Sequence, residues 1–442
     1  MDNIIKVVEK FVEEQELLRK DLLYIVALSG GADSVTLLLV MKELGYHVEA
    51  AHCNFHLRGE ESDRDEHFVE ALCQKEQIEL HRIHFDTLTY SELHKVSIEM
   101  AARDLRYHYF EQLRNDIGAE AICVAHHRDD SVETVLINLT RGTGIHGLTG
   151  IHPKQGNIIR PLLCVSRKEI EQFLKERNID YVTDSTNLVD DVIRNKIRLN
   201  VLPLLRTINP SVDEAIAKTA VQLAEAERIY NDAVSKVIGK GRQLQKLSIE
   251  DILASASPES LLFEWLSQYG FSPAVIRKIA VLMKNATTGT TWISATHEVI
   301  INRGMIEVEP KAKPMKEMRI PETGCYNYSE TMQFRFSLSE CTDIVRSPSH
   351  ACLDANKVTF PLTIRPIQEG DRFIPFGMSG SRLISDFLTD LKLSRFDRRR
   401  QLVVTDASGE IIWVVNRRPS QHFCVTSATT TLLDIHFLEQ PE

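Results

Sequence analysis

Six consecutive residues, Ser29-Gly30-Gly31-Ala32-Asp33-Ser34, gather in one short turn what a pyrophosphate site needs. Two glycines let the backbone turn tightly and bring its N–H groups against phosphate oxygens. The hydroxyls of Ser29 and Ser34 are further donors, and a helix starting at Asp33 would aim its positive end at the same anion. A carboxylate is out of place beside phosphates unless a divalent cation lies between them, so Asp33 reads as a Mg²⁺ ligand. The Walker lysine is missing, which argues against γ-phosphate transfer. On these six residues alone, a tight structural turn that merely contains glycines is an open alternative.

A second concentration of chemistry is Val124-Ala125-His126-His127-Arg128-Asp129-Asp130-Ser131-Val132-Glu133-Thr134. Asp129 and Glu133 are spaced by four and Asp130 and Glu133 by three, so on a helix the carboxylates lie on adjoining faces. Acids favour any helix N-terminus, but three of them with His126 also suit a bound cation. Arg103, Arg106, Tyr107 and Phe110 follow i, i+3, i+4, i+7 and share one helix face. The two arginines suit phosphate or RNA, and the two aromatic residues suit packing. Arg58, and the pair Arg194 and Arg198 one turn apart, read either as phosphate contacts or as solvated surface charges. Gly142-Thr143-Gly144-Ile145-His146-Gly147 matches Gly-x-Gly-x-x-Gly, yet it follows a helix rather than a strand, so the dinucleotide reading fails.

These residues need a scaffold that brings them to one edge. Leu22–Leu28 reads as a buried strand before the glycine turn, His47–His52 as a second, Glu79–Phe85 as a third and Ala121–Ala125 as a fourth. Helical periodicity separates them over Ser62–Glu76 and Ile98–Asp116 and resumes over Asp129–Leu139. The alternation predicts an α/β domain with a parallel sheet covered on both faces, with ligands beyond the carboxyl ends of its strands. Asn209-Pro210 opens a long polar helix over Val212–Val237, expected to begin a helical region reaching about Lys284. A β-rich tail follows, with a hairpin turn at Asn302-Arg303-Gly304 and a linker-like Lys311–Pro321. The expected division is 1–206 catalytic, 207–310 mainly helical, 311–360 linker and connecting strands, and 361–442 a small α+β domain.

Bulk properties bound these readings. A chain of 442 residues is expected to form two or three domains, and 43% apolar with 26% charged residues is a globular composition. No apolar run approaches a bilayer span, and the amphipathic N-terminus lacks a signal core, so a cytosolic enzyme without membrane partners is expected. None of the eight cysteines forms Cys-x-x-Cys, which removes a local zinc knuckle or redox pair. A net charge of −10 argues against indiscriminate nucleic-acid binding. It leaves room for a local basic patch, and Arg395, Arg398, Arg399, Arg400, Arg417 and Arg418 supply one. The sequence does not fix oligomeric state, a homodimer included.

Ser-Gly-Gly-x-Asp-Ser after the first strand resembles the signature of the PP-loop ATP pyrophosphatases, which cleave ATP between the α and β phosphates and adenylylate a substrate oxygen. Further segments resemble the tRNA(Ile)-lysidine synthetase family: His52–Ser62, Ala101–Phe110, Val124–Thr134, Arg141–Gly147, Arg160-Pro161-Leu162-Leu163, Asp184-Ser185-Thr186-Asn187 and Arg194–Arg198. The likeness is dense over about 20–205, thin in the middle, and returns in Arg365-Pro366, Gly370-Asp371-Arg372-Phe373, Phe376-Gly377 and Ser385–Leu388. Two departures stand out: Phe55 where the family often has histidine, and Ser381-Arg382 where it usually has a lysine pair.

The resemblance implies a Rossmann-like PP-loop sheet, ATP and Mg²⁺ as cofactors, and free L-lysine and tRNA(Ile) with a CAU anticodon as substrates. Ser29 to Ser34 would hold ATP, while Asp130 and Glu133, with His126 lining the pocket, would hold the substrate lysine. A carboxylate there would also accept the ammonium proton, since only the neutral amine attacks. Arg58, Arg103, Arg106, Arg194, Arg198, Arg372, Arg382 and Arg395 would meet tRNA or phosphate. The rivals are a tRNA thiolase, disfavoured by the missing Cys-x-x-Cys; an amidotransferase ligase, for which no glutaminase segment is evident; and a non-catalytic nucleotide-sensing RNA binder, disfavoured by the acids.

Overall fold

The computed structural model describes residues 3–183, 193–239, 245–311, 315–340 and 344–439, which form two compact units, the chain passing from the first to the second between Asp232 and Ala233. Asp184–Asn187, singled out above, lies outside the described residues.

The first unit is built on six strands: β1 (Leu23–Ala27), β2 (His47–Asn54), β3 (Leu80–His84), β4 (Ala121–Cys123), β5 (Lys154–Gln155) and β6 (Ile158–Ile159). Their order is β3-β2-β1-β4-β6-β5, parallel except for the terminal β5. Because the order reverses between β1 and β4, a crevice opens beyond the carboxyl ends of these two strands, where open α/β sheets bind ligands. One face is covered by α1 (Asn3–Glu14), α2 (Ala32–Glu43) and α8 (Arg167–Glu176), whose Ile5, Val8, Leu38, Met41, Ile170 and Leu174 share a core with Tyr24 and Val26. The other face packs Ile25, Ala51 and Ile122 against Phe110 and Leu113 of α5 (Ile98–Asp116). Both faces being buried is why β1 reads as an unbroken apolar run.

Of the remaining helices, α6 (Arg128–Arg141), α9 (Ile193–Lys196) and α10 (Leu202–Ile208) line the crevice, while α3 (Glu60–Glu76), α4 (Thr87–His94), α7 (Ile145–Leu148) and α11 (Val212–Ile238) do not. A π-helical turn, Ile197–Val201, joins α9 to α10. Pro210 falls in the turn before α11, where Asn209 Oδ1 accepts the Ser211 N–H at 3.0 Å, so the helix starts two residues later than a proline at its first position implies.

In the second unit, the mainly helical expectation for 207–310 misses a sheet. Strands β7 (Lys246–Ser248), β8 (Thr291–Ile293), β9 (His297–Asn302) and β10 (Met305–Pro310) form an antiparallel sheet ordered β7-β10-β9-β8. It shares a core with α12 (Ile249–Ala254), α13 (Pro258–Leu266) and α14 (Pro273–Leu282) through Trp265, Ile276, Val299 and Ile306. Strand β7 left no periodic trace because it is three residues long with only Leu247 buried. The expected hairpin turn is present, with Arg303 at φ 47° and Gly304 at φ 79°, the positive pair that a two-residue hairpin requires.

Two antiparallel sheets complete this unit. One is ordered β11 (Met318–Ile320), β15 (Leu362–Pro366), β18 (Leu402–Thr405), β19 (Ile411–Val414) and β20 (Arg418–Pro419). The other is ordered β12 (Gly324–Asn327), β13 (Met332–Ser339), β21 (Leu432–Glu439) and β14 (His350–Asp354). Leu362, Val404 and Trp413 of the first meet Phe334, Leu353 and Ile435 of the second in one core. The first sheet's other face is covered by α15 (Ile384–Asp390) and a short ribbon, β16 (Arg372–Phe373) with β17 (Arg382–Leu383). Helix α16 (Arg395–Arg399) precedes β18. Met318–Ile320, inside the stretch expected as linker, is thus an edge strand. Among the described residues no helix is long and apolar enough to cross a membrane.

Candidate nucleotide and cation site

The crevice beyond β1 and β4 is a cleft of about 780 Å³. Strand β1 delivers the hexapeptide to its floor. Gly30 adopts φ +88°, a conformation L-residues avoid, so the turn favours glycine, and a Cβ there would also crowd Val69 Cγ2 at 3.3 Å. Ser29 and Ser34 lock the turn: their hydroxyls lie 3.1 Å apart, Ser34 Oγ donates to Gly31 O at 3.0 Å, and Ser29 N–H donates to Ser34 Oγ at 3.2 Å. Asp33, in the first turn of α2, splits its two oxygens. Oδ2 is ion-paired to Arg167 Nη1, and Oδ1 is buried with no hydrogen-bond partner among the described residues, 3.8 Å from His127 Nε2. Burial pushes this carboxyl up from its ordinary range, against the pull of His127 and Arg167.

Strand β4 delivers the acids. His127 N–H donates to Asp130 Oδ2 at 3.0 Å across the first turn of α6. Glu133 is 1% exposed, and both its oxygens are occupied by Arg198, Nε–Oε1 at 2.6 Å and Nη2–Oε2 at 3.0 Å. Burial still raises the Glu133 carboxyl, with Arg198 opposing. Arg194 lies 3.8 Å from Glu133 and 3.9 Å from Asp130, and Arg198 reaches Asp130 at 3.6 Å. The two arginines expected against phosphates therefore sit on the two acids expected to hold lysine. His126 faces the same cleft with Nδ1 buried and without a hydrogen-bond partner among the described residues, and burial holds its imidazole down at about 4.

The α5 face completes the wall. Arg103 lies over the Tyr107 ring at 4.9 Å, and Arg106 over Phe55 at 5.2 Å. Phe110 is buried beneath them, and Phe55 stacks on Phe85 at 5.6 Å. Phe55, the departure noted above, is thus an aromatic face on the cleft, while His56 turns to His84 at 2.9 Å.

Of the residues named in advance, Ser29, Gly31, Asp33, Ser34, Arg103, Arg106, His126, Asp130, Glu133, Arg194 and Arg198 all line this cleft. Gly30 and Ala32 belong to the loop as backbone and buried packing. Arg58 does not line it; it pairs with Asp65 at 3.0 Å. Arg372, Arg382 and Arg395 belong to the second unit and are engaged there. Arg372 donates to Ser381 Oγ at 3.2 Å and to Ser381 O at 3.1 Å, Arg382 pairs with Asp390, and Arg395 donates to Gly289 O. Arg399 and Arg400 pair with Glu298 and Glu309. Sequence reading missed Arg167 and Arg206, which also line the cleft. A trace of Arg167 was present: Ser166 and Glu169 form a capping box, marking a helix start beside it.

Among the described residues, no three His, Cys, Asp or Glu side chains cluster as a metal cage. Mg²⁺ accompanying a nucleotide does not need one, since it binds through one or two carboxylates plus phosphates and water. The orphaned Oδ1 of Asp33 beside the phosphate loop fits that requirement.

The fold and loop define an ATP-utilising PP-loop enzyme, and the PP-loop domain family matches residues 2–205. Two further families match, the TilS substrate binding domain over 240–311 and the TilS substrate C-terminal domain over 362–435. The tRNA(Ile)-lysidine synthase of Bacteroides thetaiotaomicron is 44% identical over 426 residues, 96% of this chain and 97% of that protein. That of Parabacteroides distasonis is 43% identical, over 98% of this chain and all of that protein, and that of Bacillus subtilis 30%, over 94% of each. The chain belongs to the tRNA(Ile)-lysidine synthase family, and is a ligase. Among solved structures, the U34-tRNA thiolase NcsA of Methanococcus maripaludis aligns with 50% of this chain and 79% of its own at TM-score 0.42 and 19% identity.

Proposed function

We propose that this protein joins free L-lysine to C2 of the wobble cytidine of tRNA(Ile) bearing a CAU anticodon, changing its reading from AUG to AUA. The observation that carries the reading is one cleft lined by both the Ser-Gly-Gly-x-Asp-Ser loop and the acids Asp129, Asp130 and Glu133, in a chain of this family. In the first step the cytosine O2 attacks the α-phosphate of ATP, and the bond to the leaving pyrophosphate breaks. The N–H groups and hydroxyls of Ser29–Ser34, with the N-terminus of α2, hold the pyrophosphate end. Asp33 would hold Mg²⁺, which supplies charge neutralisation at the phosphates.

In the second step the ε-amine of lysine attacks C2 and AMP leaves with the bond electrons. Asp130 orients the ammonium and takes its proton, with Glu133 and His126 lining the same pocket. His126 stays neutral near pH 7 and adds no repulsion toward the incoming cation. The base is reached only when unstacked, and the Phe55–Arg106 and Tyr107–Arg103 faces offer surfaces on which an extruded base stacks.

The division at 206, 310 and 360, with tRNA contacts from Arg372, Arg382 and Arg395 and a cytosolic setting, belongs to the same proposal. Incubating the protein with ATP, radiolabelled lysine and total tRNA tests it. Lysine label in tRNA, matched by AMP and pyrophosphate, is the expected outcome. Sulfur or ammonia accepted in place of lysine would sink it.

A further inference from the structure

Six arginines line the cleft, at 103, 106, 167, 194, 198 and 206, and among the described residues only Arg167 contacts the phosphate loop. It is the first residue of α8, fixed from three sides. Its N–H donates to Asp129 Oδ2 at 3.3 Å, its Nε to Glu171 Oε1 at 2.8 Å, and its Nη1 meets Asp33 Oδ2. The guanidinium is 38% exposed, and Nη2 donates to none of the described residues. The other arginines are committed elsewhere: Arg194 and Arg198 to Glu133, Arg206 to Asp213, Arg103 and Arg106 to aromatic faces. Without Arg167 the loop offers a polyanion two hydroxyls, backbone N–H groups and a carboxylate, with no formal positive charge.

We propose that Arg167 is a pyrophosphate-binding residue, held on Asp33 in the nucleotide-free protein and transferred to the departing pyrophosphate during adenylylation. The inference rests on the reading of the cleft as an ATP-adenylylating site. A nucleotide-borne cation taken on Asp33 Oδ1 shares the single negative charge that holds Arg167 on Oδ2, and so weakens that ion pair. When the cation takes the carboxylate, the guanidinium is left beside an incoming anion, and its planar fork matches phosphate oxygens. In the chemical step the bond from the nucleophilic oxygen to the α-phosphorus forms. The bond to the pyrophosphate oxygen breaks with its electron pair remaining on pyrophosphate. Arg167 donates hydrogen bonds to that charge and gives up no proton.

The bland alternative is that Arg167 only neutralises Asp33. Calorimetric titration of the full chain with inorganic pyrophosphate and Mg²⁺ separates the two. Arg167→Gln is expected to weaken pyrophosphate about tenfold or more, the scale of one charge-assisted hydrogen bond. Arg167→Lys is expected to lose less, keeping charge without the fork. The loss should persist when Arg167→Gln is made on an Asp33→Asn background. Unchanged affinity, or a loss that vanishes on that background, overturns the proposal. If Arg167→Gln fails to fold by circular dichroism, parent-like pyrophosphate affinity in Arg167→Lys overturns it equally. A parent protein that binds pyrophosphate through Arg167 but puts no lysine into tRNA removes the substrate assignment and leaves this inference standing.

Discussion

Two carboxylate stations line the cleft, each capped by arginine, and they differ in how completely. Asp33 is 28% exposed with one oxygen lacking a hydrogen bond among the described residues, and the side chain of its arginine is 38% exposed. Glu133 is 1% exposed with both oxygens satisfied by Arg198 and a second arginine close by. Breaking such a buried pair leaves an uncompensated charge, whereas an orphaned oxygen already bears that cost. The first station is built for exchange of partners and the second for permanence. Asp130 lies between these extremes, touched by both arginines only at 3.6–3.9 Å.

The contrast makes its largest claim on Asp33→Asn. Adenylylation should fall by about two to three orders of magnitude, the scale of losing one preorganised electrostatic group. Thermal stability should stay level or rise, because a carboxyl raised by burial is removed. A large drop in Tm alongside the lost activity would make Asp33 as structural as Glu133. Arg198→Ala should show the reverse pattern. Discounting for a guanidinium 36% exposed, we expect roughly 2–3 kcal/mol of lost stability in denaturant unfolding, with ATP binding retained. Arg198→Ala combined with Glu133→Gln should recover much of that loss, since the stranded charge is gone. No recovery would mean the two residues are not coupled.

The same contrast explains what the sequence disclosed. The phosphate loop was legible because its function lies in contiguous backbone: Gly30 needs φ +88° and sits between a strand buried over Tyr24–Val26 and a helix. The acids were legible through helical spacing on one short element. The capping of Glu133 was not, because it joins positions 65 residues apart through a π-helical turn, Ile197–Val201, which no local periodicity marks. Arg167 meets Asp33 across 134 residues and was missed for the same reason. In the second unit, Arg365 and Asp371, read as a family motif, form a fork at 2.8 and 2.9 Å that closes their own loop, so motif identity alone did not separate scaffold from site.

A third, smaller effect probes the space between the stations. His126 titrates at about 4, well below its ordinary value near 6.5, because burial disfavours the imidazolium. Asp130 draws it up while Arg103, Arg160 and Arg194 push it down. Since the folded-state value is depressed, the unfolded chain binds more protons between these limits, and stability falls as pH drops from about 6.5 to 4. The effect is roughly 2 kcal/mol after allowance for partial exposure. His126→Asn should flatten that part of the stability–pH curve. An unchanged slope would put the acid sensitivity elsewhere.

The smallest expected effect falls on Asp130, and it decides which acid serves lysine. Asparagine keeps an oxygen to accept the His127 N–H, now at 3.0 Å, so the helix start should survive the change. What is lost is a negative charge that Arg194 and Arg198 hold only loosely, at 3.9 and 3.6 Å. We expect the KM for lysine to rise about tenfold in Asp130→Asn, the scale of one charged hydrogen bond, with ATP affinity within twofold of the parent. Glu133→Gln should instead register mainly in stability, because Arg198 already occupies both oxygens. Equal losses of lysine and ATP use in Asp130→Asn would dissolve the division between the stations. A lysine defect confined to Glu133→Gln would mean that Arg198 leaves when substrate arrives, making the closed station the one that opens.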